Sequence, residues 1–206
     1  MEPEPKKKKQ ATEREKPKGR SATEIDGFYR AINRRSLSGA RFFALVRLIH
    51  YTGLRVGEAL ELELRDLVWE AGYVDVRRSK TPSGIRNAMM PSDPERREEL
   101  WDAMQKWLEW REEIEPESDL VFVSRTGAPL AYNSVNRSFM RVSERAGLKD
   151  GMTAHTLRHT YASVLLSKGA PLTGVAKQLG HKNPDITARV YSHVINREQQ
   201  DAVSRF

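Results

Sequence analysis

Apolar residues recur at helical spacing along most of this chain, and that pattern predicts a mainly helical fold. The Ser21-x-x-Glu24 sequence has the form of a capping box and predicts a first helix that runs through Ile32. A second helix is predicted from about Gly39 to Tyr51. Its buried face is expected to carry Phe42, Leu45, Val46 and Ile49.

The period of the pattern changes between residues 66 and 91. The runs YVDVRR and IRNAMM alternate in polarity as short strands do, and SKTPSG between them predicts a hairpin with Lys80 at its turn. LVFVS at 120–124 is a candidate for another short strand. The leucines before the hairpin that are expected in the core are Leu54, Leu60, Leu62 and Leu64. The predicted fold class is therefore α+β, mainly helical, with a small antiparallel sheet.

Two more helices follow the hairpin. Asp93-Pro94 starts a long helix that ends near Ile114, and its apolar face carries Leu100, Met104, Trp107 and Leu108. Because the tryptophans of this helix fall at helical spacing, we interpret them as core residues rather than as platforms for stacked bases. The next helix is predicted from Asn133 to Ala146.

The stretch from residue 155 to 191 is predicted to form three short helices. Thr153 is the cap of the first, Gly169 and Gly180 end the first two, and the sequence from Asn183 starts the third with Pro at its first position. These helices carry His155, Arg158, His181 and Tyr191. Arginine binds phosphate through a planar fork, histidine exchanges protons at neutral pH, and tyrosine can act as a covalent nucleophile. The combination suits attack on a phosphodiester, although each residue alone is also typical of a solvated helix face or of packing.

Composition adds an anionic partner to this picture. The 206 residues carry a net charge of +7, which favours nucleic acid or, as the alternative, a membrane surface. Residues 1–20 hold eight Lys/Arg and four Glu with almost no apolar residue, so we expect a disordered basic tail or linker before one catalytic domain at 21–206. The tail is either solubilising or an arm whose Lys6, Lys7, Lys8 and Lys9 contact phosphates.

The chain contains no cysteine, which excludes disulfides and thiolate metal sites. No apolar run approaches the length of a membrane span, and the N-terminus is too polar for a signal peptide. We therefore expect a soluble, cytoplasmic protein.

Two upstream motifs resemble the catalytic domain of the tyrosine recombinases, the phage integrase family. TGLRVGEALEL is similar to the first arginine box of that family, with Arg55 as the arginine and Glu58 as the acid that follows it. SKTPSGIR is similar to the lysine motif of the family's β-hairpin and places Lys80. In the absence of these matches, Arg55 and Glu58 would be a surface pair and Lys80 an exposed lysine.

Two downstream motifs complete the resemblance, which covers residues 21–195. HTLRHTYAS is similar to the His-x-x-Arg box, and LGHKNPDITARVYSHV is similar to the last box of the family. They place His155, Arg158, His181 and the nucleophile Tyr191. The helical domain that full-length members carry upstream, which completes a clamp around DNA, is not in this sequence.

The resemblance implies a site-specific recombinase or integrase that forms a 3′-phosphotyrosine intermediate without a cofactor. Arg55, Arg158 and His181 would bind the scissile phosphate, and Glu58 would orient an active-site cation. His155 would be the base for Tyr191, and Lys80 would protonate the departing 5′-oxygen.

The partner implied is double-stranded DNA, contacted also by Arg86 of the hairpin. We expect a monomer in solution that self-associates on DNA, as a tetrameric synapse, through a C-terminal tail at about 196–206.

Three other readings compete with this one. A type IB topoisomerase shares the chemistry but relaxes supercoils without site choice. A DNA-binding protein without catalytic activity would not need all six positions. His155 and His159 have the i, i+4 spacing of helical zinc ligands, but a metalloprotease would carry Glu where residue 156 is Thr.

Overall fold

The computed structural model describes residues 19–204, with side chains at all of these positions except 193 and 196–203. The basic tail with Lys6 to Lys9 and the terminal Phe206 lie outside the described residues. The helices are α1 (Ala22–Arg30), α2 (Leu37–Thr52), α3 (Val56–Leu60), α4 (Pro94–Ile114), α5 (Tyr132–Arg145), α6 (Ala154–Ser167), α7 (Leu172–Leu179) and α8 (Pro184–Val203). The strands are β1 (Leu67–Val68), β2 (Tyr73–Val76) and β3 (Arg86–Met89). The predicted class, mainly helical α+β, is confirmed.

The local signals in the sequence set the helix starts. Ser21 and Glu24 form the predicted capping box of α1, and Asp93 accepts a hydrogen bond from the Arg96 N–H at the start of α4. Thr153 caps α6 in the same way, through the N–H of Thr156. Each of these side chains satisfies a backbone donor that has no partner within its helix.

The core surrounds α2, which packs between α4 and α6. Phe28 of α1, Phe42 of α2 and Phe139 of α5 form an aromatic cluster with ring centroids 4.9 to 6.2 Å apart. Trp107 is fully buried, and its indole N–H donates to the Val121 carbonyl at 2.8 Å. A smaller cluster between α6, α7 and α8 holds Ala162, Leu166, Val175, Leu179 and Tyr191.

The sheet is antiparallel in the order β1-β2-β3. Val74 pairs with Ala88, and Val76 pairs with Arg86. The buried face therefore carries Val74, Val76, Arg86 and Ala88. The turn between β2 and β3 contains Lys80, so the predicted hairpin is confirmed.

Three details of the sequence prediction are wrong. Residues 120–124 form only isolated bridges, Glu63 with Leu120 and Val123 with Pro129, because each partner segment turns away after one pair. Leu64 is 37% exposed because the chain enters a 3-10 turn at that residue. Trp101 is 40% exposed and packs edge-on against Trp69 rather than in the core.

None of the described helices combines the length and the apolar character that crossing a membrane requires.

Candidate active site

The junction between α2 and α3 forms the first part of the site. Gly53 ends α2 in the left-handed conformation with φ of 69°, and a Cβ there would lie 2.7 Å from the Tyr161 ring. Glycine avoids both penalties and lets the chain reverse into α3. Arg55 is the residue before α3, and its N–H donates to Glu58 Oε2 at 2.9 Å.

Arg158 lies at the centre of the site and is 5% exposed. Its Nη1 donates to the Gly53 carbonyl at 2.5 Å, and its Nη2 donates to the Leu179 carbonyl at 2.6 Å. Both carbonyls lie at helix C-termini, where the helix dipole favours a cation. Burial, and secondly the charge of Arg55, lowers the pKa of Arg158 to about 9, so the guanidinium stays charged at neutral pH.

His181 follows the left-handed Gly180 that ends α7. Its Nε2 lies 3.2 Å from Arg158 Nη2, and its Nδ1 lies 2.7 Å from Thr187 Oγ1. Because arginine can only donate, we infer that Nε2 accepts and that Nδ1 carries the proton. Burial, followed by the charges of Arg158 and Arg55, lowers the pKa of His181 to about 4, so the ring is neutral at pH 7.

Glu58 is buried on α3 and accepts hydrogen bonds from three residues. Arg55 Nη1 donates to Oε1 at 2.6 Å, and Ser79 Oγ donates to Oε1 at 3.3 Å. Arg86 donates to both oxygens, at 3.2 and 3.1 Å. Burial alone would raise the pKa of this carboxyl, but the hydrogen bonds and charge of Arg86, reinforced by Arg55, lower it below the ordinary 4.5.

Arg86, which was predicted to contact DNA, is buried. Its side chain is 4% exposed and pairs with Glu58, whose side chain is 3% exposed. Its Nε donates to the Gln178 carbonyl and its Nη1 to the Gly84 carbonyl, both at 2.7 Å. All three guanidinium nitrogens therefore make hydrogen bonds inside the protein.

Two cationic residues of the prediction do reach solvent. The Arg55 side chain is 39% exposed while its Nη2 donates to the Gly180 carbonyl at 3.2 Å. Lys80 is exposed on the hairpin turn, directly after Ser79. Together they give the site an accessible positive face.

His155 lies in the first turn of α6 and is exposed. Partial burial, and secondly the charge of Arg158, lowers its pKa below the ordinary 6.5. The imidazole is therefore neutral at pH 7 and able to accept a proton.

Tyr191 is 3% exposed and lies in the small cluster between α6, α7 and α8. Its backbone leaves helical geometry, with φ of −107° and ψ of 16°, so α8 is kinked at this residue. Burial raises the pKa of Tyr191 to about 12, against the opposing charge of Arg158. The phenol is therefore protonated in this structure.

Sequence reasoning missed the contact between His159 and Tyr191, because it weighed His159 only as a zinc ligand. The ring is 1% exposed and its centroid lies 4.6 Å from that of Tyr191. The available signal was its position beside Arg158 on a buried helix.

Among the described residues, no group of three or more His, Asp or Glu is placed to hold a metal ion.

The contacts therefore join Arg55, Glu58, Arg158 and His181, and electrostatic coupling to Arg158 extends to His155 and Tyr191. A cationic cluster beside a tyrosine, in a mainly helical fold with a small sheet, is the arrangement that the resemblance to tyrosine recombinases implies. The model of the phage integrase family matches residues 21–198. The chain belongs to this family.

Two relatives illustrate how far the similarity reaches. The chain is 28% identical over 171 residues to tyrosine recombinase XerC of Lactobacillus leichmannii, a match that covers 83% of this chain and 56% of that protein. It is 28% identical over 185 residues to tyrosine recombinase XerH of Helicobacter pylori, covering 88% of this chain and 49% of that protein. The chain thus spans about half the length of the curated relatives it matches.

Two solved structures share the fold. The crystal structure of XerA recombinase superposes with a TM-score of 0.76 at 26% identity, over 94% of this chain and 66% of that one. The post-cleavage complex of XerH site-specific recombinase with a palindromic difH substrate superposes with a TM-score of 0.72 at 27% identity, over 92% of this chain and 53% of that one.

The buried Glu58–Arg86 pair predicts a pH-dependent loss of stability on Glu58→Gln. The variant leaves the Arg86 charge buried without its counter-ion, which costs about 3–5 kcal/mol at pH 7. Because the folded-state pKa of Glu58 is lowered, its contribution is present above the ordinary 4.5 and is lost as the pH falls towards the folded value. Urea denaturation of both proteins should therefore show a difference that narrows in acid.

Glu109→Gln is the matched control, because Glu109 pairs with Lys106 at the surface and both side chains are more than half exposed. Its effect should stay within about 0.5 kcal/mol. A Glu58→Gln deficit of the same size at pH 7 and at pH 4 would contradict the ion-pair account.

Proposed function

We propose that this chain is the catalytic part of a site-specific DNA recombinase that cuts and rejoins strands through a 3′-phosphotyrosine on Tyr191. The observation that carries the proposal is the convergence of Arg55, Arg158 and His181 at the C-terminal end of α7, with Tyr191 coupled electrostatically to Arg158. The DNA on which it acts would be in the cytoplasm, at the nucleoid. XerH, a relative, is described as bound to its difH substrate, which favours site choice over the relaxation of a topoisomerase.

The scissile phosphate binds to Arg55 and Arg158. Arg158 is held by two carbonyls at helix ends, so its side chain is already oriented before DNA binds. His181 Nε2 accepts from Arg158 in this state. To donate to a phosphate oxygen, His181 must gain a proton or change tautomer when the DNA binds.

The chemical step is a transesterification. Tyr191 Oη forms a bond to phosphorus, the phosphorus–O5′ bond breaks, His155 accepts the phenol proton and Lys80 gives a proton to O5′. A 5′-hydroxyl from a second strand reverses the reaction and releases the tyrosine. Because bond energy is retained in the phosphotyrosine, no cofactor is consumed.

Tyr191→Phe should abolish the covalent product while leaving folding and DNA binding intact, because it removes only the hydroxyl of a packed ring. The measurement is trapping of a protein–DNA adduct on DNA that carries a nicked candidate site. Tyr161→Phe is the matched control and should still form the adduct. An adduct that persists in Tyr191→Phe and disappears in Tyr161→Phe would move the nucleophile to Tyr161.

Lys80→Ala should reduce cleavage of ordinary DNA by about 10²–10⁴-fold, the usual contribution of a general acid. On a substrate with a 5′-bridging sulfur the loss should be much smaller, because a thiolate leaves without a proton. Lys106→Ala, a distant surface lysine, should leave both rates near wild type. Equal losses for Lys80→Ala on the two substrates would reduce Lys80 to a phosphate contact.

We also propose that the protein is a monomer alone and self-associates on DNA through residues 196–206, in a tetrameric synapse. A cavity of about 600 Å³ between α1, α6 and the end of β3 offers an acceptor, with apolar walls formed by Ile25, Met89, Val164 and Leu165. The apolar residues of the tail are Ala202, Val203 and Phe206. Burying the Val and the Phe contributes roughly 1.5–3 kcal/mol each, too little to hold a dimer in solution but enough to favour one on DNA.

Truncation after Asn196 should leave a folded monomer that assembles less on DNA with paired sites. Light scattering of the protein alone and with DNA measures both states. The control is Met140→Ala, a 63% exposed apolar residue on α5 away from the cavity. A truncated protein that assembles and recombines like the intact one would show that the tail has no part in assembly.

Lys6 to Lys9 stay candidates for phosphate contacts, and the salt dependence of DNA binding with and without residues 1–20 measures their contribution.

A further inference from the structure

The segment that carries Lys80 is held at both ends by one buried ion pair. This segment, residues 79–84, is called the Lys80 loop below. At its start, Ser79 Oγ donates to Glu58 Oε1 at 3.3 Å. At its end, the Gly84 carbonyl accepts from Arg86 Nη1 at 2.7 Å. Glu58 and Arg86 form an ion pair with each other, so both ends of the loop contact the same ion pair.

The Glu58–Arg86 pair is itself bonded to other parts of the site. Arg86 Nε donates to the Gln178 carbonyl of α7 at 2.7 Å, and the Gln178 side-chain amide bonds both the N–H and the carbonyl of Met89, each at 3.0 Å. Strand β3 is thereby attached to α7, whose last turn also provides a carbonyl to Arg158. The loop is thus fixed relative to the phosphate-binding arginines, while Lys80 reaches into solvent.

Gly84 is the point where the two ends of the loop meet. A Cβ at this residue would lie 1.8 Å from Ser79 Oγ and 2.4 Å from Ser79 Cβ. Both distances are too short for nonbonded atoms. A side chain there must push Ser79 away from Glu58. Gly84 does not touch the ion pair through a side chain, so a substitution moves the loop without removing a buried charge.

We propose that the Glu58–Arg86 pair is a clamp that positions Lys80 for proton transfer, with Ser79 and Gly84 as its two contacts to the loop. The proposal rests on the proposed role of Lys80 as general acid. A general acid must lie within hydrogen-bond reach of the leaving oxygen, and a displacement of about 1 Å can cost about 100-fold in rate. A lysine on an exposed turn meets this requirement only if its backbone is held.

The test compares Gly84→Ala with Lys80→Ala on ordinary DNA and on DNA with a 5′-bridging sulfur. Gly84→Ala should cut ordinary DNA about 10- to 100-fold more slowly than wild type and recover most of that loss on the sulfur substrate. Gly27→Ala is the matched control, because a Cβ at Gly27 on α1 meets no atom within 4 Å. It should leave both rates at wild-type values.

The same pattern is expected in a milder form from Ser79→Ala, which removes one hydrogen bond and introduces no clash, so the test does not depend on the folding of Gly84→Ala. Ser83→Ala is its control, because the Ser83 hydroxyl contacts Thr81 rather than Glu58. It should leave the ratio of the two rates unchanged. Thermal unfolding of each variant separates a local displacement from a loss of folded protein.

One outcome is that the sulfur substrate restores cleavage by Lys80→Ala but not by Gly84→Ala or Ser79→Ala. This outcome would overturn the clamp and leave Lys80 as the general acid. A Lys80→Ala defect that sulfur does not relieve overturns the acid role itself, and the clamp with it. Relief in all three variants, with the two controls unchanged, is the result that the clamp requires.

Discussion

The interaction on which this site depends is a single buried carboxylate among guanidinium groups. Glu58 accepts from Arg55, Ser79 and Arg86, and its charge opposes the lowering of the Arg158 pKa by its cationic neighbours. Three guanidiniums and one carboxylate leave a net charge of +2. That charge suits a phosphodiester, which carries one negative charge and gains more as an ionised phenol attacks it. Without the carboxylate, three cations would have to be desolvated together.

The two arginines that we propose as phosphate ligands are held in different ways. Arg158 is buried and oriented by the Gly53 and Leu179 carbonyls, which costs desolvation but fixes the group proposed to contact the transition state. Arg55 is partly exposed and can adjust as DNA arrives. The proposed nucleophile is unreactive in the same state, because burial keeps the Tyr191 phenol protonated. In this state Arg158 is therefore already oriented, while Tyr191 is still protonated.

Local signals explain how much of this could be predicted from sequence. Capping at Ser21, Asp93 and Thr153, and the alternation of the hairpin, depend on residues a few positions apart, so the chain itself displays them. The candidate site residues were predicted from motifs that occur in the same order as in the tyrosine recombinases. The errors arose where the outcome depends on distant partners. Trp101 packs on Trp69, and residues 120–124 meet single residues of other segments, so no periodic pattern records either outcome.

The alternation of β3 could not decide from sequence which face Arg86 takes, because Ile85 and Met89 offer one apolar face and Ala88 and Met90 offer the other. In the structure Ala88 and Met90 face the core, and with a period of two Arg86 faces the core as well. A buried guanidinium needs a counter-ion, and Glu58 was already assigned to an active-site cation. The pair also fixes the register of β3. A slip by one residue would bring Asn87 to Glu58 and carry Arg86 to solvent, leaving the carboxylate without one of its two cations. The ion pair that reduces the positive charge of the site is thus the same contact that holds the hairpin, and with it Lys80, in place.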